Sequence, residues 1–240
     1  MKFSQKYITT WHDTDANRRV RPTQLLVYMQ ETSNAHLKSL DCDLDVLRDE
    51  KGLAFLLSKI RLAIYSPLYA YEDIIVSTWT CESRGYAFSR FYEIRRGNEL
   101  IAAADTTWAL VSLNDRQLCK VDSIDLGFEH EAPVDIGIPA RFRVPKTEEL
   151  ELAGERKIVY SDLDYNMHMN NTRYADMLCD FMPYERVEDI KGISLSYVHE
   201  AAFGDTVKVY RQANENKYSF RTVNGDGCTC LEAEIILNDK

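Results

Sequence analysis

Two stretches of this chain, 149 residues apart, follow one pattern, and this duplication limits the possible folds more than any other feature. The first reads HDTDANRRVRPTQLLVYM from residue 12, and the second reads SDLDYNMHMNNTRY from residue 161. In this alignment Asp15 matches Asp164, and Asn17 matches Asn166. Each copy follows an apolar segment that contains a tyrosine, and each precedes an apolar run. A repeat of this length is too long for a solenoid and predicts two similar globular units.

The second copy is rich in polar side chains at every second position, namely Asp162, Asp164, Asn166 and His168. Alternation of this kind predicts an extended segment that presents all four side chains on one side. Each of them forms hydrogen bonds or titrates, so the segment is a candidate site. Arg19 stands where the second copy has His168, which predicts one active copy and one that has lost the imidazole.

The overall composition excludes several classes of protein. The 240 residues carry a net charge of −9 with a pI near 5.1, which argues against nucleic acid or an anionic membrane as the main partner. The six cysteines are scattered and lack the spacing of zinc ligands. The chain has neither an apolar signal core at its start nor a run of ~20 apolar residues. We therefore expect a reduced, cytoplasmic protein without metal or cofactor.

The periodicity of the chain predicts the same order of elements in both halves. Pro22 opens a helix that runs to about residue 40, and strands follow at 55–65, 74–81, 87–95 and 100–113. The second half has a helix at 171–181 and strands at 193–199, 206–212, 217–223 and 228–237. One helix against one antiparallel sheet in each half is an α+β arrangement. We expect an N-terminal unit at 1–128, a linker at 129–150 and a C-terminal unit at 151–240.

The string DLDYNMHMNNTRY resembles the signature of bacterial acyl–acyl-carrier-protein thioesterases, whose active half carries Asp-x-Asn-x-His followed by Asn-Asn. The stretch SYVHEAAFGDTV is also similar, and it places Glu200 on a strand that ends beside the motif. The resemblance covers nearly the whole chain. It implies a tandem (double) hot-dog fold, in which each unit is an antiparallel sheet wrapped around one long helix. Plant members carry a cysteine after this glutamate, but here the residue is Ala201, so no cysteine nucleophile is available at that position.

The resemblance implies hydrolysis of the thioester of a fatty acyl carrier protein, which releases a free fatty acid and ends fatty acid synthesis. It implies a catalytic set of four residues. Glu200 polarises water or attacks directly, His168 shares the proton transfer, and Asp164 orients the imidazole or the amide. The Asn166 amide and the N–H groups that begin the helix at Asn171 are expected to stabilise the oxyanion.

The first unit is expected to bind the acyl chain, because the counterpart of Glu200 falls at Leu68 or Pro67 and neither titrates. Side chains of its helix and sheet are candidates to line the acyl tunnel. They are Leu25, Met29, Phe55, Leu57 and Trp79.

An acyl carrier protein is acidic, so this acidic chain needs locally concentrated cations to bind it. Two groups are candidates: Arg18, Arg19 and Arg21, and then Arg141, Arg143, Lys146, Arg156 and Lys157. A homodimer is compatible with the sequence. Three other functions stay open, namely an acyl-CoA thioesterase, a hot-dog dehydratase that acts on a 3-hydroxyacyl chain, and a non-catalytic protein that binds acyl thioesters. The tandem duplication favours the carrier-protein type.

Overall fold

A computed structural model describes residues 2–238, which divide into two compact units. The first unit contains the residues up to Val20 together with Gln24–Gly137. The second contains Arg21–Thr23 and the residues from Ile138 onward. The expected boundaries at residues 128 and 150 stay a prediction.

The first unit is an antiparallel sheet with one long helix. Its strands pair in the order β1-β3-β4-β5-β2, and a short strand β6 pairs with β5. The elements are β1 (Phe3–Ile8), α1 (Pro22–Ser39), β2 (Leu53–Ile64), β3 (Asp73–Thr80), β4 (Ala87–Arg96), β5 (Glu99–Ser112) and β6 (Leu118–Cys119).

Helix α1 covers one face of this sheet. The Tyr28 ring lies 4.9 Å from the Tyr7 ring of β1, and His36 contacts Arg90 of β4. The opposite face is packed by the segment that follows β6, where the Trp79 indole donates a hydrogen bond to the Ala132 carbonyl at 3.1 Å. Both faces are buried because the strands carry apolar side chains at odd and even positions alike.

The second unit repeats this topology, with the strand order β7-β9-β10-β11-β8. The expected α+β, double hot-dog architecture is therefore confirmed, and the helices and most strands begin and end close to their predicted positions. The elements are β7 (Glu151–Lys157), α2 (Arg173–Asp180), α3 (Tyr184–Val187), β8 (Ile190–Tyr197), β9 (Thr206–Asn214), β10 (Lys217–Val223) and β11 (Thr229–Leu237).

The helices of the two units differ in length, since α1 has 18 residues and α2 has 8. Helix α2 ends at Asp180, three residues before Pro183. Proline disfavours a helical conformation in the residue before it and lacks an N–H for the helix, so the sequence stops α2 there. The expectation of one long helix is thus met in the first unit only. No helix among residues 2–238 has the length and apolar character needed to cross a membrane.

A glycine in β7 gives a test of the packing around α2. A Cβ atom added at Gly154 lies 2.7 Å from Cε1 of Phe181, the residue that follows α2. We predict that Gly154→Ala lowers the free energy of unfolding by about 1–3 kcal/mol, because the ring must move out of a packed position. Urea unfolding followed by circular dichroism measures this change.

The matched control is Gly225→Ala, because an added Cβ there has no atom within 4 Å. We expect the control to unfold like the wild type. Equal stability of the two variants would contradict the packing of Phe181 against β7.

Candidate active site

The polar motif of the second unit forms a closed loop, so the prediction of an extended segment is wrong. The Asp164 carboxylate accepts hydrogen bonds from the backbone N–H groups of Asn166, at 2.8 Å, and His168, at 3.3 Å. The Asp164 N–H donates to the His168 carbonyl at 2.9 Å, and Met167 has a φ of +66°. An aspartate that bonds the backbone ahead of it favours a turn over a strand.

The end of this loop lies against the segment that follows β8. Met169 donates its N–H to the Ala201 carbonyl at 2.8 Å, and His168 pairs with Ala202 as an isolated antiparallel bridge. This pairing brings Nδ1 of His168 to 3.3 Å from Oε2 of Glu200. The two side chains are 32% and 62% exposed, so both are accessible to water. The structure therefore brings together the imidazole and the carboxylate that the sequence singled out.

Two aromatic residues connect the start of α2 to the end of β8. The Tyr197 hydroxyl, at the end of β8, donates a hydrogen bond to the Asn171 carbonyl at 2.8 Å. Tyr174 of α2 packs edge-on against Tyr197, with ring centroids 5.6 Å apart. Burial raises the pKa of both phenols, so each keeps its proton at neutral pH. These contacts fix the distance between the start of α2 and the strand that leads to Glu200.

Asp164 and Asn166 occupy different positions in this loop. The recorded hydrogen bonds of the Asp164 carboxylate go to backbone N–H groups and shape the loop. Asn166 lies at the exposed tip of the loop. Three of the four expected catalytic residues thus lie in this loop, and the fourth, Glu200, lies beside it. The side chains of His168 and Glu200 contact each other directly.

The Asp162 and Asn170 side chains accept hydrogen bonds from the backbone on either side of this loop. The Asp162 carboxylate is 3% exposed, accepts the Val159 N–H at 3.0 Å and pairs with Arg156 at 2.6 Å. The Asn170 side-chain oxygen accepts the Thr172 N–H at 2.9 Å. Arg156 is therefore engaged inside the unit, which makes it a poor candidate for a carrier-binding surface.

Most N–H groups at the start of α2 already have acceptors. The Thr172 and Arg173 N–H groups donate to the side-chain and backbone oxygens of Asn170, each at 2.9 Å. The Asp176 N–H donates to the Thr23 hydroxyl at 3.1 Å. An oxyanion hole needs donors that are free to bind the substrate oxygen. The start of this helix thus offers fewer donors than the sequence interpretation assumed.

The corresponding loop of the first unit has the same backbone design. Asp15 accepts hydrogen bonds from the N–H groups of Asn17, at 2.8 Å, and Arg19, at 3.1 Å. The Asp15 N–H donates to the Arg19 carbonyl at 2.8 Å, and Arg18 has a φ of +64°. The duplication seen in the sequence is therefore a duplication of loop geometry as well.

The backbone register now decides which residue matches Glu200. Val20 donates its N–H to the Leu68 carbonyl at 2.8 Å, as Met169 does to Ala201. Leu68 therefore matches Ala201, and Pro67 matches Glu200. The first loop thus has Arg19 and Pro67 in place of the His168 and Glu200 pair.

Four of the five candidate acyl-contacting residues lie on the helix side of the first unit. Leu25 and Met29 are buried positions of α1. Leu57 lies on the same side of the sheet, because it pairs with Trp108, which pairs with Phe88. Phe88 faces α1, since it lies two residues from Arg90, which contacts His36 of that helix. Phe55 lies on this side as well, because its ring packs edge-on against Phe88, with centroids 5.4 Å apart.

Trp79 is not brought together with these four residues. Its ring stacks on Phe91, with centroids 5.9 Å apart, on the face of the sheet that points away from α1. The alternation of side chains along β3 and β4 explains this placement, because Trp79 and Phe91 have the opposite parity to Thr78 and Arg90.

No cysteine among the described residues has the environment of an activated nucleophile beside this pair. The Cys230 carbonyl accepts the N–H groups of Val198 and His199, close in sequence to Glu200. The Cys230 side chain is fully buried, and burial raises the pKa of its thiol to about 11. Within residues 2–238, no group of three or more His, Cys, Asp or Glu side chains is arranged to hold a metal ion.

Comparison with known proteins agrees with the fold described above. The fold is that of solved double hot-dog structures, including an acyl-ACP thioesterase from Bacteroides thetaiotaomicron, with a TM-score of 0.89 and 21% identity over 99% of this chain and 98% of the other. A 12:0-ACP thioesterase from Umbellularia californica gives a TM-score of 0.86 and 16% identity over 100% of this chain and 98% of the other.

Models of the acyl-ACP thioesterase N-terminal and C-terminal domains match residues 1–124 and 146–236. This chain belongs to the acyl-ACP thioesterase family. A curated relative, the chloroplastic acyl-[acyl-carrier-protein] hydrolase of Cuphea viscosissima, is 24% identical over 82% of this chain and 52% of its own length. The chain thus spans about half the length of this relative.

The cysteine environments predict a selective chemical modification. At pH 7.5 we expect iodoacetamide to alkylate the exposed Cys228 and to leave Cys230 unmodified, because only a thiolate reacts and the Cys230 pKa is near 11. Mass spectrometry of the intact and the digested protein measures both sites. Alkylation of Cys230 in the native protein at the rate found in urea would contradict the burial of this thiol.

Proposed function

We propose that this chain hydrolyses the thioester bond of a fatty acyl chain held on an acyl carrier protein. The observation that carries the proposal is the contact between His168 and Glu200, at 3.3 Å, on an exposed loop. The first unit keeps the same loop but has Arg19 and Pro67 at these positions. A purely structural role of the loop accounts for its duplication, but it does not account for a titratable pair in one copy. The Cuphea viscosissima relative is named a hydrolase of this class of substrate.

In the proposed reaction a water molecule attacks the thioester carbonyl carbon. Glu200 or His168 removes one proton from this water, and the other member of the pair holds the water or receives the proton in turn. The tetrahedral intermediate then expels the sulfur as a thiolate, which needs little assistance because an ordinary thiol has a pKa of about 8.5. Both side chains are partly exposed, so water has access to them.

The developing oxyanion requires hydrogen-bond donors. We assign this role to the Asn166 side-chain amide, because most N–H groups at the start of α2 are already bonded. Asp164 supports catalysis indirectly, since its carboxylate holds the backbone N–H groups of Asn166 and His168.

We further propose that the acyl chain lies in the first unit, along Leu25, Met29, Phe55 and Leu57. Exposed cations of the second unit are candidates to contact the acidic carrier protein. They are Arg141, Arg143, Lys146 and Lys157.

The central test is thiol release from acyl carrier protein thioesters of graded chain length, with matched acyl-CoA thioesters in parallel. We expect Glu200→Gln and His168→Ala each to lower kcat/KM by about 10²-fold or more, because each removes a member of the proton-transfer pair. The matched control is Arg19→Ala, in the copy without the pair, and it should retain kcat, because a role of Arg19 in binding the carrier protein would alter KM only. Near-wild-type turnover of Glu200→Gln and His168→Ala would contradict the proposed mechanism. Higher activity on acyl-CoA would identify coenzyme A as the thiol carrier of the substrate.

The duplicated loop offers a second matched pair of variants. Asp164→Ala and Asp15→Ala each remove the carboxylate that accepts two backbone N–H groups, so we expect both to lose about 1–3 kcal/mol of stability. Only Asp164→Ala should also lower kcat, about tenfold or more, because only its loop positions an imidazole beside a carboxylate. Thiol release and thermal unfolding separate the two effects. An equal loss of kcat in both variants would show that the loop acts through stability alone.

A further inference from the structure

The first unit contains a buried cation that the proposed reaction does not use. Arg90 of β4 is 5% exposed, and its guanidinium donates to His36 Nδ1 at 3.0 Å and to the Thr78 hydroxyl at 3.1 Å. Among residues 2–238, no aspartate or glutamate forms an ion pair with it. A buried charge without an opposite charge is strongly destabilising, so its presence requires an explanation.

Its neighbour Tyr92 adds a second unusual group. Tyr92 is 1% exposed, and its hydroxyl has no hydrogen-bond partner among the described residues. Arg90 and Tyr92 are two residues apart in β4, so their side chains lie on the same face of the sheet. A buried hydroxyl without a partner destabilises the folded state, because its hydrogen bonds to water are lost and not replaced. A donor without an acceptor thus lies beside a cation without a counter-charge.

The surrounding side chains supply no negative charge to balance Arg90. The Thr78 and Thr106 hydroxyls donate to the carbonyls of Phe91 and Arg90, each at 3.0 Å. Burial and the nearby guanidinium lower the pKa of His36 to about 4, so its imidazole is neutral at physiological pH. It accepts from Arg90 at Nδ1 and adds no negative charge.

The second unit shows that the fold does not require this polar cluster. By the strand register, Arg90 corresponds to Tyr218 and Tyr92 to Phe220. Tyr218 and Phe220 form an ordinary aromatic stack, with centroids 6.1 Å apart. The same two sheet positions therefore hold a pair of stacked aromatic rings in the second unit and a cation beside a phenol in the first.

The longer helix of the first unit contributes to the difference. If Thr23 is matched with Thr172, helix α2 ends at the position of Glu31, whereas α1 continues to Ser39. His36 lies in this additional part of α1 and stacks on Phe3, with ring centroids 5.1 Å apart. The Phe128 ring lies 5.2 Å from the Arg90 guanidinium carbon. The Phe3 and Phe128 rings thus cover part of the polar cluster.

We propose that Arg90 and Tyr92 form a binding site for a carboxylate in the first unit. A carboxylate matches the fork of the guanidinium, and its single negative charge matches the single cation. The carboxylate belongs either to a small free acid or to a fatty acid whose chain lies along the apolar side chains of α1 and the sheet. The proposal goes beyond thioester hydrolysis, and it holds whether or not the second unit is catalytic.

The test uses the full chain and observes the site through His36. The chain has five histidines, so a two-dimensional ¹H–¹⁵N spectrum of the imidazoles is simple, and His36→Gln assigns the signal. We titrate acetate, dodecanoate, dodecanol and inorganic phosphate. A saturable shift of the His36 signal with acetate or dodecanoate, and none with dodecanol or phosphate, supports the proposal. Tighter binding of dodecanoate than of acetate by 100-fold or more identifies a fatty acid as the ligand.

Two variants separate binding from folding. Arg90→Met should weaken carboxylate binding at least 50-fold and raise the Tm of the ligand-free protein, because it removes a buried charge that lacks a counter-charge. Tyr92→Phe should weaken binding roughly 3- to 10-fold, as expected for one lost hydrogen bond, and it should slightly raise the Tm of the ligand-free protein, because it removes a buried hydroxyl without a partner. Tyr218→Phe, the matched variant in the second unit, should change neither value.

Several outcomes would overturn the proposal. These are the absence of a saturable shift with either carboxylate, an equal response to dodecanol or phosphate, and unchanged binding in Arg90→Met. A lower Tm of Arg90→Met together with unchanged wild-type spectra on titration would show that the cluster only stabilises the fold.

Discussion

The proposed active site depends on one carboxylate that bonds to two backbone N–H groups. Asp164 accepts from Asn166 and His168, and this closes a loop in which Met167 adopts a left-handed conformation. A non-glycine residue in that conformation costs about 1–2 kcal/mol. Two charge-assisted hydrogen bonds offset this cost, since each contributes about 1.5–3 kcal/mol. The direction of the His168 backbone, and through it the contact with Glu200, follows from this balance.

Much of this arrangement was predictable from the sequence. The duplication predicted two units, and the imidazole that the second copy has and the first lacks singled out the second loop as the candidate site. His168 and Glu200 are 32 residues apart, yet the sequence predicted that they meet, because a family signature contains information about contacts that periodicity lacks. Helix α1 and the strands were predictable because apolar periodicity and turn residues agree along those segments.

The remaining features were not predictable, and each failure has a physical cause. Alternating polar residues indicated a strand at the motif, but the short side chain of Asp164 competes for the backbone and produces a loop. Trp79 was a candidate for the acyl tunnel because it lies in the sheet of the first unit, whereas the face on which it lies depends on strand register. The cluster around Arg90 gave no signal in the sequence, because an arginine in a strand usually faces solvent.

The loop of the first unit keeps a left-handed arginine at position 18 although it has lost the imidazole. Selection for catalysis cannot maintain that conformation, so the loop must serve the fold itself, by joining β1 to α1. Its backbone therefore already has the geometry of the candidate site in the second unit. For a protein engineer this means that a second site needs new side chains at positions 19 and 67, while the main chain that would present them is already in place.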